Sequence, residues 1–112
     1  MDGEANVIDT RLANALQGGL WIGGKAVLTL TDLTFTPNAM NELFHLATDT
    51  LKWSAPLKEI AAVAVRNGVV TDIIDVHLHS GQRSIRCFKA KAFAALIKQT
   101  LVAQRLKQNS QR

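Results

Sequence analysis

The chain has 112 residues, 47% of them hydrophobic and 20% charged, which fits one folded domain and not a disordered protein. A formal net charge of +4 permits attraction to anionic partners without requiring it, while the single cysteine, Cys87, excludes an internal disulfide and suits a reducing compartment. No apolar run approaches the roughly 18 residues of a membrane-spanning helix, and the acidic start Met1-Asp2-Gly3-Glu4 is unlike a secretory signal, so the expected location is cytoplasmic, with room for a peripheral position at a membrane.

Residues 1–10 lack periodicity and are expected to be loose. Across residues 11–16, Leu12, Ala15 and Leu16 have helical spacing while Leu12, Asn14 and Leu16 have strand spacing. The pairs Gly18-Gly19 and Gly23-Gly24 bracket Leu20-Trp21-Ile22, and a first strand is expected over about residues 13–22, broken or bent at the glycines. Residues 25–31 put Ala26, Leu28 and Leu30 on one face and Val27 and Thr29 on the other. After a corner at Thr31-Asp32, Leu33 and Phe35 resume the alternation, which makes a hairpin with one apolar side. Such a hairpin is not stable alone, so the remaining segments must cover it.

Pro37-Asn38 ends that strand, because proline cannot donate to a ladder. Residues 39–49 read as a loop or a short helical turn, with Met40, Leu43 and Phe44 at helical spacing. Residues 51–55 read as a strand carrying Leu51 and Trp53, interrupted by Pro56, and residues 57–60 turn the corner. Ala61, Val63 and Val65 share one side of the next strand, and Asn67-Gly68 is a strong hairpin signal. The returning strand, within residues 69–79, places Ile74, Val76 and Leu78 inward and Ile73, Asp75, His77 and His79 outward. Ser80-Gly81 turns into a last strand over residues 83–88, with Ile85 and Cys87 on one face and Arg86 and Phe88 on the other.

The period then changes. Phe93, Leu96, Ile97, Thr100 and Leu101 form one stripe of an amphipathic helix that starts near Lys89 and frays before Asn109. Three or four large side chains buried there contribute roughly 1.5–3 kcal/mol each. Residues 108–112 read as a basic frayed tail. About seven short strands followed by one helix argue for a small sandwich or barrel stoppered by that helix.

This order resembles the pleckstrin-homology superfold. Gly24-Lys25 through LTLTDLTFTPN resembles, more narrowly, the GRAM-type signature of small bacterial-type proteins, with Gly24, Leu30, Thr31, Asp32, Leu33, Phe35 and Pro37 at its marked places. The run from Trp53 to Ile60 resembles that family's aromatic residue and following turn, HSGQRSIRCF its penultimate hairpin, and the Phe93 helix its cap. The resemblance spans roughly residues 13–106. It implies a mainly β, PH-like barrel of two bent antiparallel sheets, about seven strands, capped by one C-terminal helix, with the domain at residues 11–107. Signature residues of this kind speak to fold and hardly to ligand. Several members of the superfold bind phosphoinositides through a basic loop between strands one and two. The equivalent residues 17–25 offer only Lys25, whereas such a headgroup needs several convergent donors.

Candidate sites are few. His77 and His79 form an H-x-H pair able to ligate a transition metal if a third ligand approaches. Asp75 shares their face, but residues four apart on a strand lie about 13 Å apart, and an exposed polar face is the plainer reading. Trp21 suits either a half-wet anchor for a membrane or partner, or a plug in the barrel mouth; Trp53 reads as core. Lys25 stands alone in its loop, and a curved sheet could gather Arg83, Arg86, Lys89 and Lys91 into a basic patch for an anionic ligand or membrane; the bland alternative is a solvated mixed-charge surface. Cys87 reads as a buried, inert thiol.

No nucleophile elbow, P-loop or H-E-x-x-H motif is present, so no enzyme and no cofactor are expected. No nucleic-acid motif is visible and aromatics are few, so nucleic acid is not an expected partner. The expected function is a non-catalytic PH/GRAM-like interaction module that binds a protein segment or another copy of itself. The alternatives are a peripheral domain for anionic lipid and a small metal-binding protein.

Overall fold

Alternation builds the first four strands. β1 (Val7–Gln17) buries Ala13 and Ala15, β2 (Leu20–Thr29) buries Ala26 and Leu28, β3 (Asp32–Pro37) buries Leu33 and Phe35, and β4 (Trp53–Pro56) buries Trp53 and Ala55. Each pair is two residues apart, as a pleated strand with one covered face requires. The computed structural model describes residues 7–38 and 51–110, so the loop or helical turn expected at residues 39–49 lies outside the described residues. A 3-10 turn (Leu57–Glu59) then leads into β5 (Ile60–Arg66), β6 (Ile73–Leu78), β7 (Gly81–Arg86) and the helix α1 (Ala90–Ser110).

All paired neighbours are antiparallel and form one seven-stranded sheet in the order β4-β3-β2-β1-β7-β6-β5. The two sheets expected from sequence are therefore joined. The join is narrow: Asn14 opposes Arg86 and Ala15 opposes Ile85. β4 and β5 are the two ends, so the sheet is not closed into a barrel. The physical reason lies in the 3-10 turn between them. Its Leu57 amide donates to Thr31 O at 2.8 Å, and Glu59 O accepts from the His79 amide at 3.0 Å. Those groups bind the corner to both halves of the sheet instead of forming a β4–β5 ladder.

α1 fills the concavity. Phe93, Ala94, Ile97, Thr100 and Leu101 are buried along the expected stripe, and the helix packs on β5, β6 and the 3-10 turn. They meet Phe35, Leu28, Leu33, Leu57, Ile60, Ile74, Val76 and Ile85 in one core. Arg105 Nη2 donates to Ile60 O at 2.7 Å and ties the far half of the helix to the start of β5.

Several local expectations are corrected. Gly18-Gly19 is a hairpin turn rather than a bend: both glycines have left-handed φ values of 56° and 85°, and Gln17 pairs with Leu20. Two-residue hairpin loops favour that backbone, and glycine enters it without a Cβ clash. The single strand expected over residues 13–22 is thus the turn and inner halves of β1 and β2. Residues 7–10, expected to be loose, are paired with β2, and α1 runs beyond residue 107 to Ser110. Leu30 is 52% exposed because it sits in the β2–β3 turn. Asn67-Gly68 does not form a two-residue turn: Arg66 pairs with Ile73, which leaves residues 67–72 as the loop. Gly68 instead abuts the Thr71 carbonyl so closely that no Cβ would fit.

Candidate functional site

The strand alternation decides which candidate residues meet. On the outer face of β1, Leu12, Asn14 and Leu16 oppose Lys25, Gly23 and Trp21 of β2, and Asn14 also opposes Arg86 of β7. The Arg86 guanidinium reaches across β1 and lies 4.4 Å from the centre of the Trp21 ring. This is a cation–π contact, made by the residue type that favours it. Trp21 is half-buried, with its ring covered by Arg86 on the outer face of the sheet.

Beside this pair is an open cleft of about 360 Å³, with Leu12 and Phe88 as walls and Asn14, Gly23, Arg86 and Cys87 among its lining. Leu12 is 83% and Phe88 77% exposed. The two side chains flank the point where β1–β7 pairing ends, just beyond Asn14 and Arg86. Gly23 lies between Asn14 and Asn38, whose side-chain atoms would stand 3.4 and 3.2 Å from a Cβ there. Lys25 borders one continuation of the cleft, with Thr36 and Pro37. Lys89 and Lys91 border the other, with Val70 and Asp72. Trp21, Lys25, Arg86, Lys89 and Lys91 therefore lie along one side of the molecule.

Arg83 does not join them. It lies three positions before Arg86 on the same strand, an odd offset, so it points to the opposite, inner face. Its guanidinium lies 5.4 Å from the Trp53 ring centre and Nη1 donates to Gln17 Oε1 at 3.5 Å. Trp53 itself is core, stacked on Phe35 at 6.1 Å.

His77 is half-buried between Ala62 of β5 and Gln82 of β7, while His79 is exposed in the turn after β6. Among the described residues, no three His, Cys, Asp or Glu side chains converge on a metal position. Asp75, expected on an exposed polar face, is buried and already engaged. Its Oδ2 accepts from Arg66 Nε at 2.7 Å and its Oδ1 from Ser84 Oγ at 2.7 Å. Burial by itself raises the Asp75 pKa, but the hydrogen bonds from Arg66 and Ser84 and the charges of Arg66 and His77 outweigh it, and the carboxyl ends below its ordinary value. Burial pushes the Cys87 thiol up, Arg11 opposing and Asp9 adding, so it stays protonated and unreactive.

A second surface emerges at the end of the sheet. β5 reads Ile60-Ala61-Ala62-Val63-Ala64-Val65-Arg66, with no charge before Arg66 and no proline, and Ala61, Ala62 and Ala64 are exposed. The other end, β4, has four residues, follows Lys52 and finishes on Pro56. Sequence reading did not single out this edge or Leu12. Edges are set by strand order, and two spacings competed around Leu12.

The fold is that of pleckstrin-homology domains. The solution structure of the N-terminal PH domain of human ARAP2 matches with a TM-score of 0.63 at 16% identity, covering 93% of this chain and 84% of that one. The C-terminal domain of an unknown protein from Leishmania infantum matches with a TM-score of 0.64 at 19% identity, covering 85% and 84%. The crystal structure of the Slm1 PH domain in complex with inositol-4-phosphate is similar at a TM-score of 0.49 and 12% identity, covering 87% and 95%. At these identities the likeness shows the fold alone. No protein-family model and no curated protein sequence matches the chain, so the GRAM-type resemblance rests on its signature residues. Among the described residues no helix is long and apolar enough to cross a membrane.

Proposed function

We propose that the chain is a non-catalytic binding module that takes an extended polypeptide segment, a second copy of itself included, along the free edge of β5. The contrast between the two ends of the sheet carries this reading. Natural edges are blunted by shortness, proline, charge or bulges. β4 has the first two. β5 is seven residues long and uncharged for six of them, with a bulge only between Ile60 and Ala62. An added strand satisfies the edge's backbone groups, and the small side chains of Ala61, Ala62 and Ala64 admit it closely. The Asp75 carboxylate accepts from both Ser84 and Arg66, which supports a structural role for the acid–hydroxyl pair.

Light scattering across a concentration series, together with titration of a synthetic peptide of the β5 sequence, tests this. The expected result is concentration-dependent association or saturable peptide binding, abolished in Ala62→Lys/Ala64→Lys without loss of Tm. A chain that stays monomeric and leaves the peptide unbound refutes it.

A second reading has its own observation. Val69 and Val70 are 99% and 83% exposed at the β5–β6 loop, and Val70 lines a groove with Asp72, Phe88, Lys89 and Lys91. Exposed apolar side chains with two lysines at one flank suit the surface of an anionic membrane. Sedimentation with anionic but not neutral vesicles, lost in Val69→Asp/Val70→Asp, supports that reading; sedimentation with neither vesicle type, or equally with both, removes it.

A further inference from the structure

We infer that the outer-face cleft between Leu12 and Phe88 binds a small amphipathic carboxylate, its carboxylate held by Arg86 and its hydrocarbon body laid between the two apolar walls.

Arg86 is the exception among the described arginines. Arg11 donates to Asp9, Arg66 to Asp75, Arg83 to Gln17 and Arg105 to the Ile60 carbonyl. Arg86 is half-buried and stacked on Trp21, yet its N–H groups meet no protein acceptor among the described residues. The Trp21 ring holds the guanidinium in place at 4.4 Å, and a guanidinium's planar fork of N–H groups matches a carboxylate bidentately. A partly buried fork without an acceptor is poised for a ligand's oxygens rather than for bulk water.

The surroundings narrow the chemistry. Among the described residues no carboxylate lines the cleft, and Asn14 stands opposite Arg86 on the paired strand. Lys25, Lys89 and Lys91 belong to its continuations, not to this cleft. One guanidinium balances a single negative charge; a multiply charged phosphate calls for more cations. The walls complete the argument. Leu12 and Phe88 are large apolar side chains, exposed and placed on either side of the same opening. A ligand with a hydrocarbon body would cover both. A volume near 360 Å³ lies at the small end of ligand pockets.

The chain supplies its own reporter, because it has two tryptophans. Trp21 touches Arg86 at the cleft, while Trp53 is buried on the inner face. Two-dimensional 15N NMR resolves their indole N–H signals during titration with sodium hexanoate, 1-hexanol and inorganic phosphate. The expected result is a saturable shift of the Trp21 signal with hexanoate, an unmoved Trp53 signal, and responses at least about tenfold weaker to hexanol and phosphate. Arg86→Lys keeps the charge but loses the fork, and weakens hexanoate binding about tenfold. Leu12→Ala and Phe88→Ala each weaken it severalfold with the spectrum otherwise intact. Phosphate as effective as hexanoate, a Trp53 shift in place of Trp21, an unaffected Arg86→Lys variant, or no saturable shift at millimolar ligand each overturns the proposal. Sedimentation with anionic vesicles without any hexanoate response also overturns it and leaves the membrane reading standing. The β5-edge reading is independent of all these outcomes.

Discussion

Arg66 Nε and Asp75 Oδ2 lie 2.7 Å apart on neighbouring strands β5 and β6, and Ser84 Oγ of β7 completes the contact from the other side at 2.7 Å. One carboxylate thus links three strands at the end of the sheet. Gln82 Nε2 extends the chain of bonds to Ser84 Oγ at 3.3 Å.

That linkage sets a pH dependence. The Asp75 carboxyl is held below its ordinary value of 3.8 in the folded chain. A depressed folded-state pKa contributes stability above the unfolded value, and the contribution fades as the pH falls through that value toward the folded one. Arg66 is half exposed, so the network is worth less than a fully buried pair. Asp75→Asn is expected to cost about 1–2 kcal/mol at pH 7, with the gap from wild type narrowing below about pH 4. Urea unfolding at pH 7 and at pH 3 checks both parts; an equal gap at the two values removes the ionic explanation.

Gly24 and Gly23 are adjacent but should respond oppositely to alanine. A Cβ at Gly24 would meet the Thr36 carbonyl and lie 2.7 Å from Phe35 Cζ in the core. Backbone and a buried ring cannot both yield, so Gly24→Ala is expected to lose about 3 kcal/mol or fail to fold. At Gly23 the nearest atom is the amide nitrogen of Asn38, 3.2 Å away at the end of a side chain. Gly23→Ala should cost under about 1 kcal/mol. Thermal melts of the two variants measure the contrast.

Lys89 turns the chain from β7 into α1 with a φ of 55°. That left-handed backbone costs a non-glycine residue about 1 kcal/mol or more, and glycine adopts it freely at some cost in unfolded-state entropy. Lys89→Gly should gain a few tenths to about 1 kcal/mol, raising Tm by a few degrees. Lys89→Ala, which keeps the strain and removes the charge, should leave Tm nearly unchanged. A matching rise in both would assign the effect to charge instead.

Phe93 is fully buried, and the Arg11 guanidinium lies 5.2 Å from its ring centre while Nη1 of Arg11 reaches the Phe88 carbonyl at 3.3 Å. Phe93→Ala removes the helix's largest core anchor and the ring that Arg11 covers. A loss of about 3–5 kcal/mol is expected, much of a small domain's stability. Phe93→Leu keeps most of the volume and should retain cooperative unfolding by circular dichroism.

The β2–β3 hairpin was legible because Ala26, Leu28, Leu33 and Phe35 alternate without competition, and α1 because Phe93, Ile97 and Leu101 recur at helical spacing. β1 was only half legible. Leu12, Asn14 and Leu16 point outward while the residues that reach the core are Ala13 and Ala15, so the large side chains marked the wrong face. The β5–β6 loop misled for a related reason. Asn67-Gly68 has turn chemistry, but the Thr71 carbonyl packed against Gly68 selects a longer loop.

The candidate site followed the same division. The sequence determined that Arg86 and Phe88 share a face of one strand, that Trp21 is flanked by glycines, and that α1 carries a buried stripe, because side-chain periodicity along a single element is a local property. Only the tertiary structure decided that β1 lies beside β7, which brings Trp21 to Arg86 and Leu12 to Phe88, turns Arg83 inward onto Trp53, and leaves β5 at the edge. Strand order depends on how separate elements bury their apolar faces against one another, and no spacing within one element encodes it.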